Sequence, residues 1–449
     1  MHSVVSRLLI LFLCAFVALP AWSQGMPFGD RKIKKPESLL IIHAGRLLAV
    51  PGEAPLAEQS IVVRNDRIEA VVDGYIGTDD VEPGRATPEI VDLSDKFVLP
   101  GLMDSHVHLN RATGAYQENA IANAAPDKGP ATVNTMVNIR LTLNAGFTAV
   151  RDLGSDNESV YAVRDAIDKG AMLGPTILAS GPSIGVTSSH GSSRPGAAVC
   201  DGVDGCRRLT RQLEKAGADL IKIKVSGGFS TNTGFGQHMT RDEMVAIVKA
   251  AHMRGIIVTA HAYAPESVID AVNAGVDCIE HGHLADEAGL KLMREKGVFL
   301  VPTVTVAEPP SFVQGFLGGR KAISVTIRDE YQSFENAYKM GVKVAFGTDA
   351  GVYPHGKNAD EFMTMVKLGM TPADAIRAAT VVAAELFALE GLTGTIESGS
   401  RADIIAVNSD PLSDIGALKD VDFVLKSGQV AKRNGAMQVP LDYGLEHSY

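Results

Sequence analysis

The sequence GLMDSHVHL, at residues 101–109, contains two histidines separated by a single residue, His106 and His108. It follows the apolar residues Phe97, Val98 and Leu99, which predict a strand leading into it. Successive side chains of a strand alternate between its two faces, so both imidazoles would project from the same face. Two imidazoles at a strand end can bind one cation. Because a pair with this spacing is also common by chance, a metal site requires further ligands elsewhere in the chain.

Short apolar runs alternate with helical patterns from residue 101 onward and predict eight strand–helix units. The predicted strands end at His106, Asp152, Ser180, Val225, His261, His281, Thr303 and Asp349. This alternation predicts an α/β fold built on a parallel (β/α)8, TIM-like barrel. A doubly wound open sheet is the alternative, but no glycine-rich loop of the phosphate-binding type follows an early predicted strand.

Capping residues predict where two of the helices begin. Thr240 and Glu243 form a capping box at the start of an amphipathic run that ends near Gly255. Thr371 precedes a proline in the first helical position, and the helical pattern after it runs to about Leu389.

Both ends of the chain contain short alternating apolar runs, such as IVVRNDRIEAVV at residues 61–72 and ADIIAVNSD at residues 402–410. Glycine and proline punctuate these runs, as in strands joined by turns. We therefore expect a small β-sandwich domain formed from both chain ends. The expected boundaries are 1–23 for a signal peptide, 24–100 and 391–449 for the β-sandwich domain, and 101–390 for the barrel.

The first 23 residues predict a secretory signal peptide. One basic residue, Arg7, precedes an apolar run at residues 8–19, and a small-x-small site follows at residues 21–23. Cleavage near Ser23 would place a soluble protein in the periplasm or outside the cell. The apolar run is too short to span a membrane, and no other stretch of the sequence approaches the required length of about 20 apolar residues.

The formal net charge of the chain is −10 at pH 7. A nucleic-acid-binding surface would need clustered lysines and arginines, and the sequence contains one small cluster, at residues 31–35. We expect no nucleic-acid partner and a small molecule as the substrate. A homo-oligomer is compatible with the sequence, although no repeat or coiled-coil pattern marks an interface.

Three cysteines lie beyond the predicted cleavage site, namely Cys200, Cys206 and Cys278. Exported proteins can form disulfides, so Cys200 and Cys206 could be paired across the short DGVDG segment, or both could be free thiols on a loop. Cys278 lies in the apolar run GVDCIEH and is expected to be a small core residue.

In a (β/α)8 barrel, loops at the carboxyl ends of the strands form the active site. Ligand-type side chains occur at five of the predicted strand ends: His106 and His108 on the first, then Lys222, His261, His281 and Asp349. Imidazole and carboxylate are common zinc ligands. An ammonium is not a ligand, but a lysine carboxylated by carbon dioxide is an anionic carbamate whose two oxygens can bridge two cations. Lys224 would lie on the same face of its strand and is the alternative to Lys222.

Other polar residues near the strand ends are expected to be structural. Arg151 and Asp152, at the end of the second predicted strand, predict an ion pair. His283 is expected to support the site from a loop without being a ligand. His43 and His252, in the flank and in a helix, are expected to be ordinary packing or surface residues.

Seven stretches of the chain, in this order, resemble the amidohydrolase superfamily: GLMDSHVHL, TAVRDLG, GADLIKIKVSGG, VTAHAY, GVDCIEHG, FGTDAGVYPHG and GTIESGSRADIIAV. The resemblance covers essentially the whole chain beyond the predicted signal peptide. It points to the branch of Xaa-Pro and Xaa-Arg/Lys dipeptidases and ochratoxin-hydrolysing amidases, often described as imidazolonepropionase-like. The resemblance implies two divalent metal ions, usually zinc. It implies that one ion is held by His106, His108 and Asp349, the other by His261 and His281, with carboxylated Lys222 bridging them.

Two such cations would lower the pKa of a bridging water enough to supply hydroxide at neutral pH, and one of them would polarise the substrate carbonyl. Asp349 would take the proton of the hydroxide and deliver it to the leaving nitrogen. His190 resembles the family histidine that contacts the substrate carbonyl. Ser188 and Ser189 precede it, where relatives commonly have two glycines.

Further substrate contacts are expected from loops at the same end of the barrel. Tyr263 lies two residues beyond His261, and its hydroxyl could bind a substrate carboxylate or the ring could simply pack. Ser226 and Gly227 belong to a loop that leaves room for the substrate backbone, and His355 lies on the last loop.

The leading hypothesis is hydrolysis of an amide whose leaving group is an amino acid, in a dipeptide or an N-acyl amino acid. The alternative is a metal-dependent hydrolase of cyclic amides, lactones, carbamates or xenobiotic amides. A mononuclear deaminase would not need a lysine on the fourth strand. A non-catalytic scaffold would be expected to have lost ligands, whereas every ligand position is filled here.

Overall fold

The structure is a computed structural model that describes residues 37–111, 128–155, 157–193, 196–228, 234–307, 327–352 and 354–438. The predicted signal peptide lies outside these ranges. Within them, no helix is both long enough and apolar enough to cross a membrane.

Strands from both ends of the chain form a single sheet. They are β1 (Leu39–Leu47), β2 (Leu56–Arg64), β3 (Arg67–Asp73), β4 (Pro88–Pro100), β14 (Ile404–Val407), β15 (Val421–Lys426), β16 (Gln429–Arg433) and β17 (Ala436–Met437). Their order across the sheet is β17-β16-β15-β14-β4-β1-β2-β3. Strand β4 joins the two ends because it pairs in parallel with β1 and antiparallel with β14. The two chain ends thus combine in one hydrogen-bonded sheet of eight strands, whereas the sequence analysis expected a β-sandwich.

The middle of the chain forms parallel strands. They are β5 (Leu102–Val107), β6 (Phe147–Asp152), β7 (Thr176–Ala179), β8 (Ile184–Gly185), β9 (Ala198–Val199), β10 (Ile221–Lys224), β11 (Val258–Ala262), β12 (Cys278–His281) and β13 (Phe299–Val301). One sheet has the order β5-β6-β7 and the other β13-β12-β11-β10-β8-β9. Seven of the eight predicted strand ends lie within two residues of an observed end.

Helices separate these strands along the chain and pack against them. They are α1 (Lys128–Asn144), α2 (Asn157–Asp168), α3 (Gly202–Ala216), α4 (Arg241–His252), α5 (Pro265–Ala274), α6 (Glu287–Lys296), α7 (Ile327–Lys339), α8 (Asp360–Lys367), α9 (Pro372–Ala378) and α10 (Val381–Phe387). Short 3₁₀ helices span Thr78–Asp80, Val304–Ala307 and Ile415–Lys419.

The predicted eighth strand, which ends at Asp349, is an extended segment without regular pairing, yet its backbone joins both parallel sheets. On the β13 side, Leu300 exchanges hydrogen bonds with Lys343 and Ala345. On the β5 side, the N–H of Asp349 donates to the carbonyl of His106 at 2.7 Å. The main chain therefore places Asp349 directly beside His106.

Both predicted helix starts are confirmed. Thr240 and Glu243 form the capping box of α4, and the Thr371 hydroxyl caps α9, whose first residue is a proline. The helical pattern beyond Thr371 is divided into α9 and α10, because the backbone of Thr380 leaves the helical conformation. The hydroxyl of Thr380 donates to the carbonyl of Ile376 at 2.6 Å and satisfies one acceptor at this break.

Cys200 and Cys206 form a disulfide, which resolves the alternative left open by the sequence. The bond links the residue after β9 to the second turn of α3. Cys278 is a buried free cysteine, as predicted.

A buried ion pair connects the eight-stranded sheet to the parallel strands. Lys426 on β15 lies 2.8 Å from the carboxylate of Asp403 and donates to the hydroxyl of Thr176 on β7 at 2.9 Å. Asp403 also accepts the N–H of Ser427, and its own carbonyl accepts the N–H of Gly101. Gly101 begins the segment that contains the two histidines, so this contact anchors the start of that segment.

Replacing Asp403 with asparagine should lower the free energy of unfolding by about 3 kcal/mol, because the buried ammonium of Lys426 loses its counter-charge. The measurement is chemical denaturation of the purified protein. The double variant Asp403→Asn/Lys426→Met should recover part of this loss, since it buries no charge. A single variant within about 0.5 kcal/mol of the wild type would contradict the role given to this pair.

Candidate metal centre

The six predicted ligands come together at the carboxyl ends of the parallel strands. All are buried, with 1 to 8% of their surface exposed: His106, His108, Lys222, His261, His281 and Asp349. The ring centroids of His106 and His281 are 5.0 Å apart, and those of His261 and His281 are 4.7 Å apart. Side chains from sequence positions 106 to 349 thus share one small volume.

Asp349 lies between the two histidines of the HVH segment. Its Oδ1 is 3.0 Å from Nε2 of His108 and 3.5 Å from Nε2 of His106. Potential ligand atoms of His106, His281 and Asp349 all lie within 4.8 Å of one another. One cation could contact all three groups.

His281 reaches the centre because its backbone departs from strand geometry. Along β12, Ile279 packs in the outer hydrophobic layer, so regular alternation would also point His281 outward. Its φ is +70°, in the left-handed region that non-glycine residues rarely adopt. Asp349 has φ +59°, and Thr303, which hydrogen-bonds His281, has φ +47°. The positive φ of His281 therefore aims this predicted ligand inward.

Three of the histidines have one ring nitrogen already engaged, which fixes the nitrogen that is left for a cation. Nδ1 of His106 donates to Glu280 at 2.7 Å, and Nε2 of His261 donates to the carbonyl of Gly227 at 3.1 Å. Nδ1 of His281 is hydrogen-bonded to the hydroxyl of Thr303 at 2.8 Å. Outer partners of this kind orient metal-binding imidazoles.

Lys222 lies among these groups with its ammonium buried. Among the described residues, its Nζ has no hydrogen-bond partner. Burial lowers the pKa of Lys222 to about 8, although the charges of Glu280 and Asp349 oppose this shift. Lys224 is less buried and lies next to His261. The structure thus brings Lys222, more than Lys224, to the centre of the ligand set.

These features fit a divalent cation. The set combines imidazoles of fixed orientation, a carboxylate and a buried lysine, and nitrogen and oxygen donors of this kind suit zinc and similar metals. Burial holds the pKa of His108, His261 and His281 well below the ordinary value, so these imidazoles are neutral, as ligands must be.

A family model for the amidohydrolase family matches residues 97–432, which include every one of these ligands. The chain belongs to the amidohydrolase family. Members of this family typically depend on metal ions.

Ochratoxinase from Aspergillus niger is 31% identical to this amidohydrolase over 436 residues, which cover 88% of this chain and 87% of the relative. A solved Xaa-Pro dipeptidase with methionine bound in its active site is 34% identical, with a TM-score of 0.78, and the match covers 88% of this chain and 100% of that one. A prolidase complexed with N-methylphosphonate-L-proline is 30% identical, with a TM-score of 0.76 and the same coverage.

These relatives show that the amidohydrolase described here is a hydrolase that acts on amide bonds. The solved neighbours also imply a TIM barrel with an additional domain, in agreement with the fold class predicted from the sequence.

Two residues next to the ligands were not anticipated. Glu280, one residue before His281, is fully buried and accepts hydrogen bonds from His106 and from Arg151. The neighbouring positive charges, chiefly that of Arg151, hold the pKa of Glu280 below its usual range although burial acts in the opposite direction. The other is Thr303, which the sequence analysis gives only as a strand end and whose hydroxyl is hydrogen-bonded to His281. Alternation could not reveal Glu280, because it places Glu280 and His281 on opposite faces of the strand.

The ion pair expected between Arg151 and Asp152 is wrong. Arg151 pairs with Glu280 at 2.7 Å, and Asp152 accepts the N–H of Leu109 and the hydroxyl of Ser155. Adjacent residues of a strand point to opposite faces, so the two side chains of β6 turn away from each other.

Two residues predicted to contact the substrate lie against the predicted ligands. The ring of His190 stacks on His261 with a centroid distance of 4.9 Å and an interplanar angle of 10°. The ring of Tyr263 packs within 5.1 Å of the rings of His261 and His281. Ser188, two residues before His190, has φ +64°, a conformation that glycine would adopt more easily.

The other predicted substrate contacts are engaged within the protein. The Ser226 hydroxyl accepts the N–H of Tyr263 and donates to the carbonyl of Gly227. Gly227 is needed for packing, because a Cβ there would lie 1.8 Å from the carbonyl oxygen of Gly234. His355 is buried. Its Nδ1 lies 3.0 Å from the Thr142 hydroxyl, and its Nε2 lies 3.2 Å from the carbonyl oxygen of His108.

The remaining histidines have the structural positions expected for them. His283 is buried and is hydrogen-bonded to the carbonyl of Pro302. His43 contacts the carbonyl of Ile76, and His252 pairs with Asp277 on the surface.

Glu361 on α8 holds the chain that follows β13. Its two carboxylate oxygens accept the N–H groups of Val304 and Thr305, both at 2.8 Å, next to Thr303. Burial raises the pKa of Glu361 from the ordinary 4.5 to about 7, although the hydrogen bonds from Thr305 and Val304 oppose the shift. Folded Glu361 therefore keeps its proton at pH values where the unfolded chain has lost it.

The contribution of Glu361 to stability is thus present below pH 4.5 and decreases as the pH rises to about 7. Glutamine at position 361 cannot titrate. Between pH 4.5 and about 7, the free energy of unfolding of Glu361→Gln should therefore fall by less than that of the wild type, the difference being on the order of 2–3 kcal/mol. The variant should be less stable at pH 4.5, because one oxygen can no longer accept. Urea denaturation of the chelator-treated protein measures this, and parallel stability profiles for the two proteins would contradict it.

Proposed function

We propose that this protein is an exported, binuclear metal-dependent amidohydrolase that releases an amino acid from a dipeptide or an N-acyl amino acid. The observation that supports it most directly is the buried Nζ of Lys222, which among the described residues has no hydrogen-bond partner inside the cluster of ligands. A buried ammonium without a partner is unfavourable, whereas a carbamate at that position would serve as an anionic ligand.

In this proposal the ligands are divided between two cations, zinc being the first choice. His106, His108 and Asp349 would hold one cation, His261 and His281 would hold the other, and carboxylated Lys222 would supply an anionic ligand shared by the two. The hydrogen bonds of His106, His261 and His281 support their role as ligands, because each leaves the opposite ring nitrogen for a cation. Bound cations of this kind polarise a carbonyl and lower the pKa of water.

Asp349 is the proton carrier of the proposed reaction. Burial raises its pKa, but the charge of His106 and the contact with His108 more than compensate, so its pKa is held below the usual range. Its ionised Oδ1 takes the proton from the attacking water and delivers it to the amide nitrogen, which is a poor leaving group until it is protonated.

His190 and Tyr263 form the substrate side of the centre. His190, stacked on His261, hydrogen-bonds the scissile carbonyl and stabilises the negative charge that develops there. Tyr263, whose ring packs against those of His261 and His281, contacts the carboxylate of the substrate in this proposal. Gly228 leaves space beside them, since a Cβ there would lie 3.2 Å from Nε2 of His261.

The relatives support the proposed substrate class. A Xaa-Pro dipeptidase holds methionine in its active site, and a prolidase binds N-methylphosphonate-L-proline, so amino-acid groups occupy both related sites. Ochratoxinase shows that the family branch also accommodates other substrates. A dipeptide or an N-acyl amino acid combines an amino-acid group of this kind, with its carboxylate, and an amide bond that the enzyme can hydrolyse.

We extend the proposal to the architecture and the compartment. The eight parallel segments close into a (β/α)8 barrel spanning residues 101–390, and residues 24–100 and 391–449 form the second domain. The hydrogen bonds of segment 343–350 to β13 and β5 support closure. The disulfide between Cys200 and Cys206 supports export, since disulfides persist in oxidising compartments.

A panel of dipeptides and N-acyl amino acids, incubated with the zinc- and bicarbonate-loaded protein, should release free amino acid from a subset. Asp349→Asn should lower kcat/KM by at least about 10²-fold, because the proton carrier is lost. Amino-acid release is measured by chromatography, with chelator-treated protein as the control. Two bound metals without any release would contradict this substrate class and favour cyclic amides, lactones, carbamates or xenobiotic amides.

Lys222→Ala should lose the bridging ligand, so the protein should bind fewer than two metal ions and its activity should fall by at least about 10²-fold. Lys224→Ala is the matched control, because both lysines lie on β10 and share a face, and it should keep both metals. Metal content is measured by plasma mass spectrometry. Full metal content in Lys222→Ala would exclude the bridge and revive a mononuclear site.

A further inference from the structure

Glu280 lies at the base of the metal centre, immediately before the ligand His281 in β12. Cys278 and Glu280 share the inner face of this strand, because the Cys278 thiol contacts the Glu280 carboxylate at 3.4 Å. His281 joins them on the inside only through its positive φ. Two consecutive residues of one strand thus face the centre, one as a predicted ligand and one as a carboxylate beneath it.

Both oxygens of Glu280 are engaged by neighbouring strands. Oε2 accepts Nδ1–H of His106 from β5 at 2.7 Å, and Oε1 accepts Nη2–H of Arg151 from β6 at 2.7 Å. The hydroxyl of Thr259 on β11 also donates to Oε1. A carboxylate with no exposed surface is thereby held in one place by three other strands.

Arg151 is itself fixed. It is fully buried, its Nε donates to the carbonyl of Ser105 at 2.9 Å, and its guanidinium lies 5.8 Å from the centre of the Phe387 ring on α10. A buried ion pair of this kind adds little stability over apolar side chains of equal volume. The position of the pair, directly against the ring of His106, therefore indicates a role at the metal centre.

We propose that Glu280, paired with Arg151, is the positioning residue of His106: it accepts the Nδ1 proton and so directs the Nε2 lone pair to the cation shared with His108 and Asp349. This rests on the proposed metal centre and goes beyond it. A carboxylate acceptor also increases the electron density on the imidazole and strengthens its bond to a cation.

The other ligand histidines lack this arrangement. His261 donates to a neutral carbonyl and His281 contacts a neutral hydroxyl. Among the described residues, Nδ1 of His108 has no hydrogen-bond partner. The charged acceptor is thus specific to His106, and its removal should weaken one of the two cation sites selectively.

The test uses the full-length mature protein, stripped with a chelator and titrated with Zn²⁺ in bicarbonate against a chromophoric competitor. The wild type should bind two ions. Glu280→Gln should keep one of them and bind the other about 10- to 100-fold more weakly. With Co²⁺ as the probe, only one of two absorption components should change. Glu243→Gln is the matched control, because Glu243 is also buried and hydrogen-bonded but lies at the start of α4, and it should bind both ions as the wild type does.

Glu280→Gln that binds both ions with wild-type affinity would overturn this role while leaving the proposed function intact. Equal weakening of both sites would also overturn it, since that is the signature of a general structural defect. A wild type that binds no ion would overturn the proposed function itself, and the role of Glu280 with it. If the single variant does not fold, Glu280→Gln/Arg151→Met buries no charge and must show the same selective loss.

Discussion

The ion pair between Glu280 and Arg151 lies below the cluster of ligands, and neither side chain reaches solvent. Burial of either charge alone would be strongly unfavourable, so each requires the other and the hydrogen bonds around it. These bonds connect β6 and β12 to β5 through His106. Since the backbone of His106 in turn holds Asp349, the relative positions of residues far apart in the chain depend on this one interaction.

Backbone conformation at the strand ends is the second requirement of the centre. A regular strand alternates its side chains, and such geometry alone would point His281 away from its partners. The left-handed conformation at His281 turns its side chain inward, and Thr303 and Asp349 also have positive φ values. Such conformations are unfavourable for non-glycine residues, and they persist because surrounding contacts hold them, here including the bond between His281 and Thr303.

The sequence analysis anticipated the candidate ligands better than their surroundings. Chemical type, placement at strand ends and, for Lys222, the family resemblance pointed to six candidates that the structure brings together: His106, His108, Lys222, His261, His281 and Asp349. The same reasoning failed for Arg151, whose partner is 129 residues away, and for Glu280, which alternation would separate from His281. For His355, nothing in the sequence indicated the contacts that the fold makes with the Thr142 hydroxyl and the His108 carbonyl. Pairings between distant residues have no local signal in the sequence.

By itself, the sequence determined the order of strands and helices, the helix starts at Thr240 and Thr371, and the residue types available at each strand end, because periodicity and capping are local properties of the chain. The tertiary structure alone decided which of these side chains are buried together, which ring nitrogen of each histidine is engaged, and which of Lys222 and Lys224 lies at the centre. These three features depend on the pairing of strands that are far apart in the chain and on the desolvation that this pairing causes. Neighbouring residues in the sequence carry no information about either the pairing or the desolvation.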